Sequence, residues 1–304
     1  MADKPSRALV LYGDGLARLI NSSHTHLHSL SSIASCGFLS LPNAPASESE
    51  DERIVREFAI LVDAYEAHLD LNGDISTDEC QQKPLIPTIS ERFMGMKAAL
   101  ITSNSSLESF ASKLGFTVLH LKEFGNNNHP KLLKLLGFQE GKMVDTSEFD
   151  IVFVHIGAGD KDKAAASDLE FINSLVGGIM NVAQTGSEIG SRLHFSVVLS
   201  YGSVSEDDSS KLSISVKKNE ENSGLSVLFP RQSYTMKGEN LRNDVRHHSP
   251  MLMAQWQYAV TRKDMAETFS FKDFKENGGN LVIPADRFLH EVAFKLWKAP
   301  KYGA

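Results

Sequence analysis

Asp14 and Asp160 each stand just past a short apolar run, in RALVLYGDG at 7–15 and DIVFVHIGAGD at 150–160. Such runs read as buried strands, and in open α/β sheets ligands gather outside the carboxyl ends of the strands. Two further runs end similarly, at Thr102-Ser103-Asn104 and Ser200-Tyr201-Gly202. Two of these four ends carry an aspartate, and three carry glycines that let a ligand or metal approach the backbone. Chemistry is to be sought at that edge. The pair His247-His248, beside Ser249-Pro250, is also unexplained by burial.

Each local motif has to be weighed against a plainer reading. Gly13-x-Gly15 follows a strand, but a dinucleotide fingerprint needs a small residue where Arg18 stands and an acidic residue about 20 positions on. A tight strand-to-helix turn accounts for it. Asp70-Leu71-Asn72-Gly73-Asp74 opens like a calcium loop, yet Ile75 and Gln81 occupy the places of its glycine and glutamate, which leaves a polar turn. His24 and His28 could share a helical face and hold zinc, but the HExxH spacing is absent, so surface histidines at a helix start are expected. Gly202-Ser203-Val204-Ser205 lacks the closing glycine of a nucleophile elbow.

The elements that position these residues alternate along the chain. Arg7–Gly13, Lys97–Thr102, Thr117–Leu121, Asp150–Ile156 and Leu193–Ser200 read as strands. Helices are expected at Thr25–Cys36 (stopped by Gly37), Arg53–Leu69, Ser105–Leu114, Pro130–Leu136, Ala164–Ala183 and Ala285–Trp297. Strands that are nearly all apolar and alternate with helices imply a mostly parallel sheet covered on both faces. With no repeat and no evident linker, residues 1–304 are expected to form a single domain. A reduced cap or insertion is expected around 42–90, and a polar loop or hairpin around 203–224.

Composition narrows the function. The 304 residues carry 31 Lys+Arg against 38 Asp+Glu, a net charge of -7, which offers no electrostatic footprint for nucleic acid. No apolar run reaches the roughly 18 residues of a bilayer span. Cys36 and Cys80 are the only cysteines, which fits a reducing, cytoplasmic or nuclear compartment and excludes a four-thiolate zinc site.

Several segments, in order, resemble the alkaline phosphatase superfamily, and within it the archaeal-type 2,3-bisphosphoglycerate-independent phosphoglycerate mutases. ALVLYGDGLARL resembles their first strand, which ends in a metal-binding aspartate, and THLHSLSSIASCGFLSL their TPNLDxLAxxGxxGLL segment. ERFMGMKAALITSNSSLESFASKLGFTVLHL is similar to ERYGLKGAxIS and the strand after it. FDIVFVHIGAGDKDKAAASD resembles DFVFVHVEAPDEAGHxGD. RLHFSVVLSYGS falls where the family has LPDHPTP, and RHHSP resembles its late histidine motif. The resemblance implies a three-layer α/β/α sandwich of alkaline phosphatase type. It implies metal positions at Asp14, Asp160 and one of His247 or His248.

That family clamps phosphate with two divalent metals, and a metal-activated hydroxyl accepts the phosphoryl group. Here the histidine of DEAGH falls on Ala164, and the Asp-His pair of LPDHPTP on Tyr201 and Gly202. The nucleophile segment is not found: Pro42–Asp51 is too short, although Ser47 and Ser49 lie near. A two-metal site needs about six or seven ligands and only about three survive. The expectation is a pseudoenzyme with a vestigial metal site and no cofactor, binding a protein partner or small ligand, with no nucleic acid and no membrane. The alternative is a divergent phosphohydrolase or phosphomutase using Mn, Mg or Zn. Lys161 and Lys163 would then offset the repulsion of phosphate by Asp14 and Asp160.

Overall fold

The computed structural model describes residues 6–45, 47–72, 87–124, 129–144, 146–157, 162–204, 212–214, 236–237, 240–242, 244–246, 248–278 and 282–300. Its strands are β1 (Arg7–Asp14), β2 (Ser35–Ser40), β3 (Ala98–Thr102), β4 (Thr117–His120), β5 (Phe138–Gln139), β6 (Lys142–Met143), β7 (Ile151–Gly157), β8 (Leu193–Leu199), β9 (Met236–Lys237), β10 (Asn240–Leu241), β11 (Met251–Trp256) and β12 (Val282–Pro284). Eight of them form one sheet in the order β12-β2-β11-β8-β1-β7-β3-β4. Only β11 runs antiparallel to its described neighbours, so the sheet is mostly parallel, with Arg7–Gly13, Lys97–Thr102, Asp150–Ile156 and Leu193–Ser200 at its centre as the patterning requires.

The helices are α1 (Thr25–Ser31), α2 (Glu50–Leu61), α3 (Tyr65–Asn72), α4 (Ile89–Arg92), α5 (Ser105–Lys113), α6 (His129–Leu135), α7 (Asp162–Val182), α8 (Glu188–Arg192), α9 (Phe271–Asn277) and α10 (Phe288–Lys295). They cover both faces, which is why the central strands are apolar at most positions and buried along nearly their whole length. Leu9, Leu11, Val152, Val154, Phe195 and Val197 enter one core with residues of α1, α6, α7 and α9. Ala8, Val10, Leu100, Phe153 and Val198 enter the other with α2, α4, α5 and α10. Because side chains alternate along a strand, counting on by twos assigns Tyr12, Asp14, Thr102, His155 and Ser200 to this second face, under α2.

Three expectations change. Thr25–Cys36 is helical only to Ser31, and Ser35–Ser40 is a strand in which Cys36 pairs with Ala254 and Phe38 with Leu252 and Val282. Pairing on both edges overrides helical spacing there, so Gly37 lies within a strand. The Arg53–Leu69 helix is two helices, broken at Val62–Ala64, where Asp63 takes a φ of 51°. Its first part starts at Glu50, since Ser49 accepts the Glu52 amide while the Glu52 carboxylate takes the Ser49 amide. Finally, β12 and α9 are elements that the sequence pattern did not reveal. Most of 203–224 lies outside the described residues, as do Cys80 and Gly73-Asp74. Among the described residues no helix is long and apolar enough to cross a membrane.

Candidate functional site

Asp14, the last residue of β1, is 1% exposed and meets an arginine. Arg53 reaches down from the first turns of α2, donating from Nη1 to Asp14 Oδ1 at 2.8 Å and from Nη2 to Oδ2 at 2.6 Å. The same guanidinium donates from Nη1 to Glu57 Oε2 (3.1 Å), from Nη2 to Glu50 Oε1 (2.6 Å) and from Nε to Glu50 Oε2 (3.0 Å). Positions 50, 53 and 57 are spaced to share one helical face, so the three carboxylates close around a single fork. A guanidinium has five N–H groups, and all five are spent here on carboxylates.

The opposite wall comes from the strand ends. Ser200 Oγ donates to Asp14 Oδ1 at 3.0 Å and accepts the amides of Gly15 (3.0 Å) and Gly202 (3.3 Å). This ties the turn after β1 to the turn after β8. Gly15 and Gly202 have φ of 70° and 67°, and a Cβ on Gly202 would stand 3.1 Å from the Gly15 Cα. Two backbones can cross this closely only without side chains. Ser203 Oγ then donates to Glu50 Oε2 at 2.9 Å, closing the cluster from the solvent side.

Burial and charge set the protonation states. Burial alone would raise the Asp14 carboxyl, but the Arg53 hydrogen bonds and charge, helped by Ser200, hold it below the usual carboxylate range. Glu57 is fully buried; burial and the nearby Asp14 charge raise it, against the pull of Arg53. Burial works against the Arg53 charge, and its carboxylates more than restore it. Tyr12, whose hydroxyl faces Glu57 Oε2 at 3.5 Å, is raised by burial and by both acids. His155 touches Thr102 Oγ1 through Nδ1 at 2.8 Å, and burial pushes it down to about 4, so the ring is neutral at neutral pH. Its Nε2 is buried with no partner among the described residues.

Of the residues singled out in the sequence, Asp14 lies in this cluster. His248 lies at the same edge of the sheet, three residues before β11, in a bridge with Ser213. Asp160, Lys161, His247 and the Lys163 side chain lie outside what the structure describes. His24 and His28 serve structural contacts: His24 Nδ1 accepts the Asn21 amide, and His28 Nδ1 accepts the distant Phe269 amide while Nε2 faces the Asn21 carbonyl. Ser49 is committed to its capping box.

Among the described residues, which include neither Asp160 nor His247, the donors around Asp14 do not make a site for the pair of divalent metals that the resemblance implies. Both Asp14 oxygens are engaged by a cation of the chain itself, and a Cβ at Gly202 would already stand 4.0 Å from Arg53 Nη2. Among the described residues no group of three or more His, Cys, Asp or Glu could hold a metal. Cavities of about 550, 440 and 560 Å³ lie elsewhere, beside α7, between α2 and α5, and under the β5–β6 hairpin.

Sequence reasoning missed Arg53, Glu57, Tyr12, His155 and Arg246, and named Ser200 only as part of a strand end. Arg246 is buried, donates to the Ser249 carbonyl at 2.8 Å and feels the charge of Glu57. A signal existed in α2, whose Glu50, Arg53, Arg56 and Glu57 form a charged face, and in the lone histidine of the apolar run DIVFVHI.

The architecture is similar to that of solved structures. It matches the PH0037 protein of Pyrococcus horikoshii with a TM-score of 0.58 at 14% identity, over 99% of this chain and 99% of that chain. It is similar to a cofactor-independent phosphoglycerate mutase from Thermoplasma acidophilum DSM 1728, with a TM-score of 0.50 at 11% identity, over 94% of this chain and 98% of that chain. A third likeness is to the lipoteichoic acid synthase LtaP of Listeria monocytogenes, with a TM-score of 0.51 at 12% identity, over 99% and 74% of the two chains. No family model matches the sequence, and no curated protein does. The fold is the alkaline-phosphatase-type α/β/α sandwich that the order of motifs implied.

Proposed function

We propose that this chain, built on an alkaline-phosphatase-type fold, is a phosphoglycerate-mutase-like pseudoenzyme that binds a protein partner or small ligand and turns over no phosphate ester. The observation that supports this reading is the saturation of Arg53 by Asp14, Glu50 and Glu57. A carboxylate held in a bidentate fork is not available to coordinate a metal, and a guanidinium with every N–H spent has none for a phosphate. Glu50, half exposed on the solvent side, presents negative charge to any approaching anion. Two thiols fit a site of action in the cytoplasm or nucleus, away from membrane and nucleic acid.

Purified protein should show no turnover of 3-phosphoglycerate or p-nitrophenyl phosphate with Mn²⁺, Mg²⁺ or Zn²⁺ added. Chelation with EDTA should leave its melting temperature unchanged. Turnover that vanishes in both Asp14→Ala and Asp160→Ala would overturn the reading and favour a divergent metal-dependent phosphohydrolase or phosphomutase.

A further inference from the structure

We infer that the carboxyl edge of the sheet holds a guanidinium-binding cage, whose occupant is supplied by the chain itself as Arg53. The inference deepens the pseudoenzyme reading and rests on it. Three features make this a cage rather than an ordinary ion pair. The Asp14 carboxylate faces Nη1 and Nη2 as a parallel fork, at 2.8 and 2.6 Å, an arrangement that only a planar two-pronged cation can satisfy. Glu57 and Glu50 take the remaining three N–H groups from other directions, so the occupant is bound on every donor. Asp14, Arg53 and Glu57 are 1%, 4% and 0% exposed, which keeps water from substituting for the cation.

The cage also rests on supports that do not depend on Arg53. Ser200 holds Asp14 Oδ1 and both neighbouring glycine amides, and Ser203 holds Glu50. Glu57 keeps one buried oxygen with no partner among the described residues. Truncating Arg53 to alanine therefore removes the occupant while leaving its acceptors in place. Free guanidinium, with the same plane and charge, matches the space and donors vacated. A small spherical cation such as Na⁺ has the charge but not the geometry.

The test is chemical rescue of Arg53→Ala. Guanidinium chloride at about 10 mM, far below the molar concentrations that denature, should raise the melting temperature of the variant by about 2 °C if it binds with a millimolar Kd. Equal NaCl should raise it much less, and the wild type and the Asp14→Ala/Arg53→Ala double variant should not respond. Should the single variant not fold on expression, the readout becomes its yield of folded protein on refolding, which guanidinium should increase over NaCl. No selective response in either measurement would overturn the cage. Wild-type turnover of a phosphate ester would overturn the pseudoenzyme reading instead, so the two failures are separable.

Discussion

The same strand ends are finished in opposite ways on the two faces of the sheet. On the α7 side, the backbone at Gly13 is crowded by Leu199, Ile172 and Leu16, so closely that a Cβ would overlap the Leu199 side chain. On the α2 side, one residue later in β1, Asp14 ends in a network of charges. The first arrangement tolerates approximate shape, because apolar burial has no direction. The second depends on its buried partners being present together, because a buried charge that loses its partner is left uncompensated. The difference teaches where this fold is replaceable and where it is not.

The largest expected effect sharpens that contrast. Asp14→Ala should destabilise the protein by about 3–5 kcal/mol in urea unfolding, since it strands Arg53 among groups that cannot re-form its fork. The charge-free pair Asp14→Leu/Arg53→Met should recover more than half of that loss. Leu199→Ala on the opposite face should cost about 3 kcal/mol, with no dependence on pH. If Asp14→Ala costs less than Leu199→Ala, the cluster is solvated and the contrast fails.

A second test uses pH. His155 is fully buried and held at about 4, below the 6.5 of an exposed imidazole, so between those values the unfolded chain binds more protons than the folded one. Its contribution is full above about pH 6.5 and is lost as pH falls toward 4, a change on the order of 3 kcal/mol. Asp14, depressed in the fold, loses its contribution only at still lower pH, while Glu57, raised, works in the opposite sense as pH rises past its unfolded value. His155→Gln should flatten the stability profile between pH 6.5 and 4, whereas Leu199→Ala should leave its shape untouched. A variant profile as steep as the wild type's would place the acid sensitivity elsewhere.

The smallest effect belongs at the edge of the cluster. Glu50 is half exposed, and solvent screens its share of Arg53, so Glu50→Gln should cost about 0.5–1 kcal/mol and lose even that in high salt. A loss as large as that of Asp14→Ala would extend the buried region out to the helix start.

The fold was legible because burial on both faces writes itself into composition. RALVLYG, AALIT, DIVFVHI and LHFSVVLS are mostly apolar on both alternating faces, the pattern of strands in a covered, mostly parallel sheet. Asp14 was legible too, as an acid at the end of such a run. Long-range pairing was not: nothing local in SCGFLS states that β11 and β12 will hold it as a strand. The charged face of α2 was visible in the sequence, but not that it would turn inward. Glu50, Arg53 and Glu57 are the residues expected on the solvent side of an amphipathic helix, and the Asp14 carboxylate lies 39 residues from Arg53 in sequence. Sequence determined that an acid would end β1 beneath a helix. Which cation would answer it was decided in three dimensions, where the register of β1 and β8, the crossing of Gly15 and Gly202, and the descent of α2 bring a guanidinium onto that carboxylate.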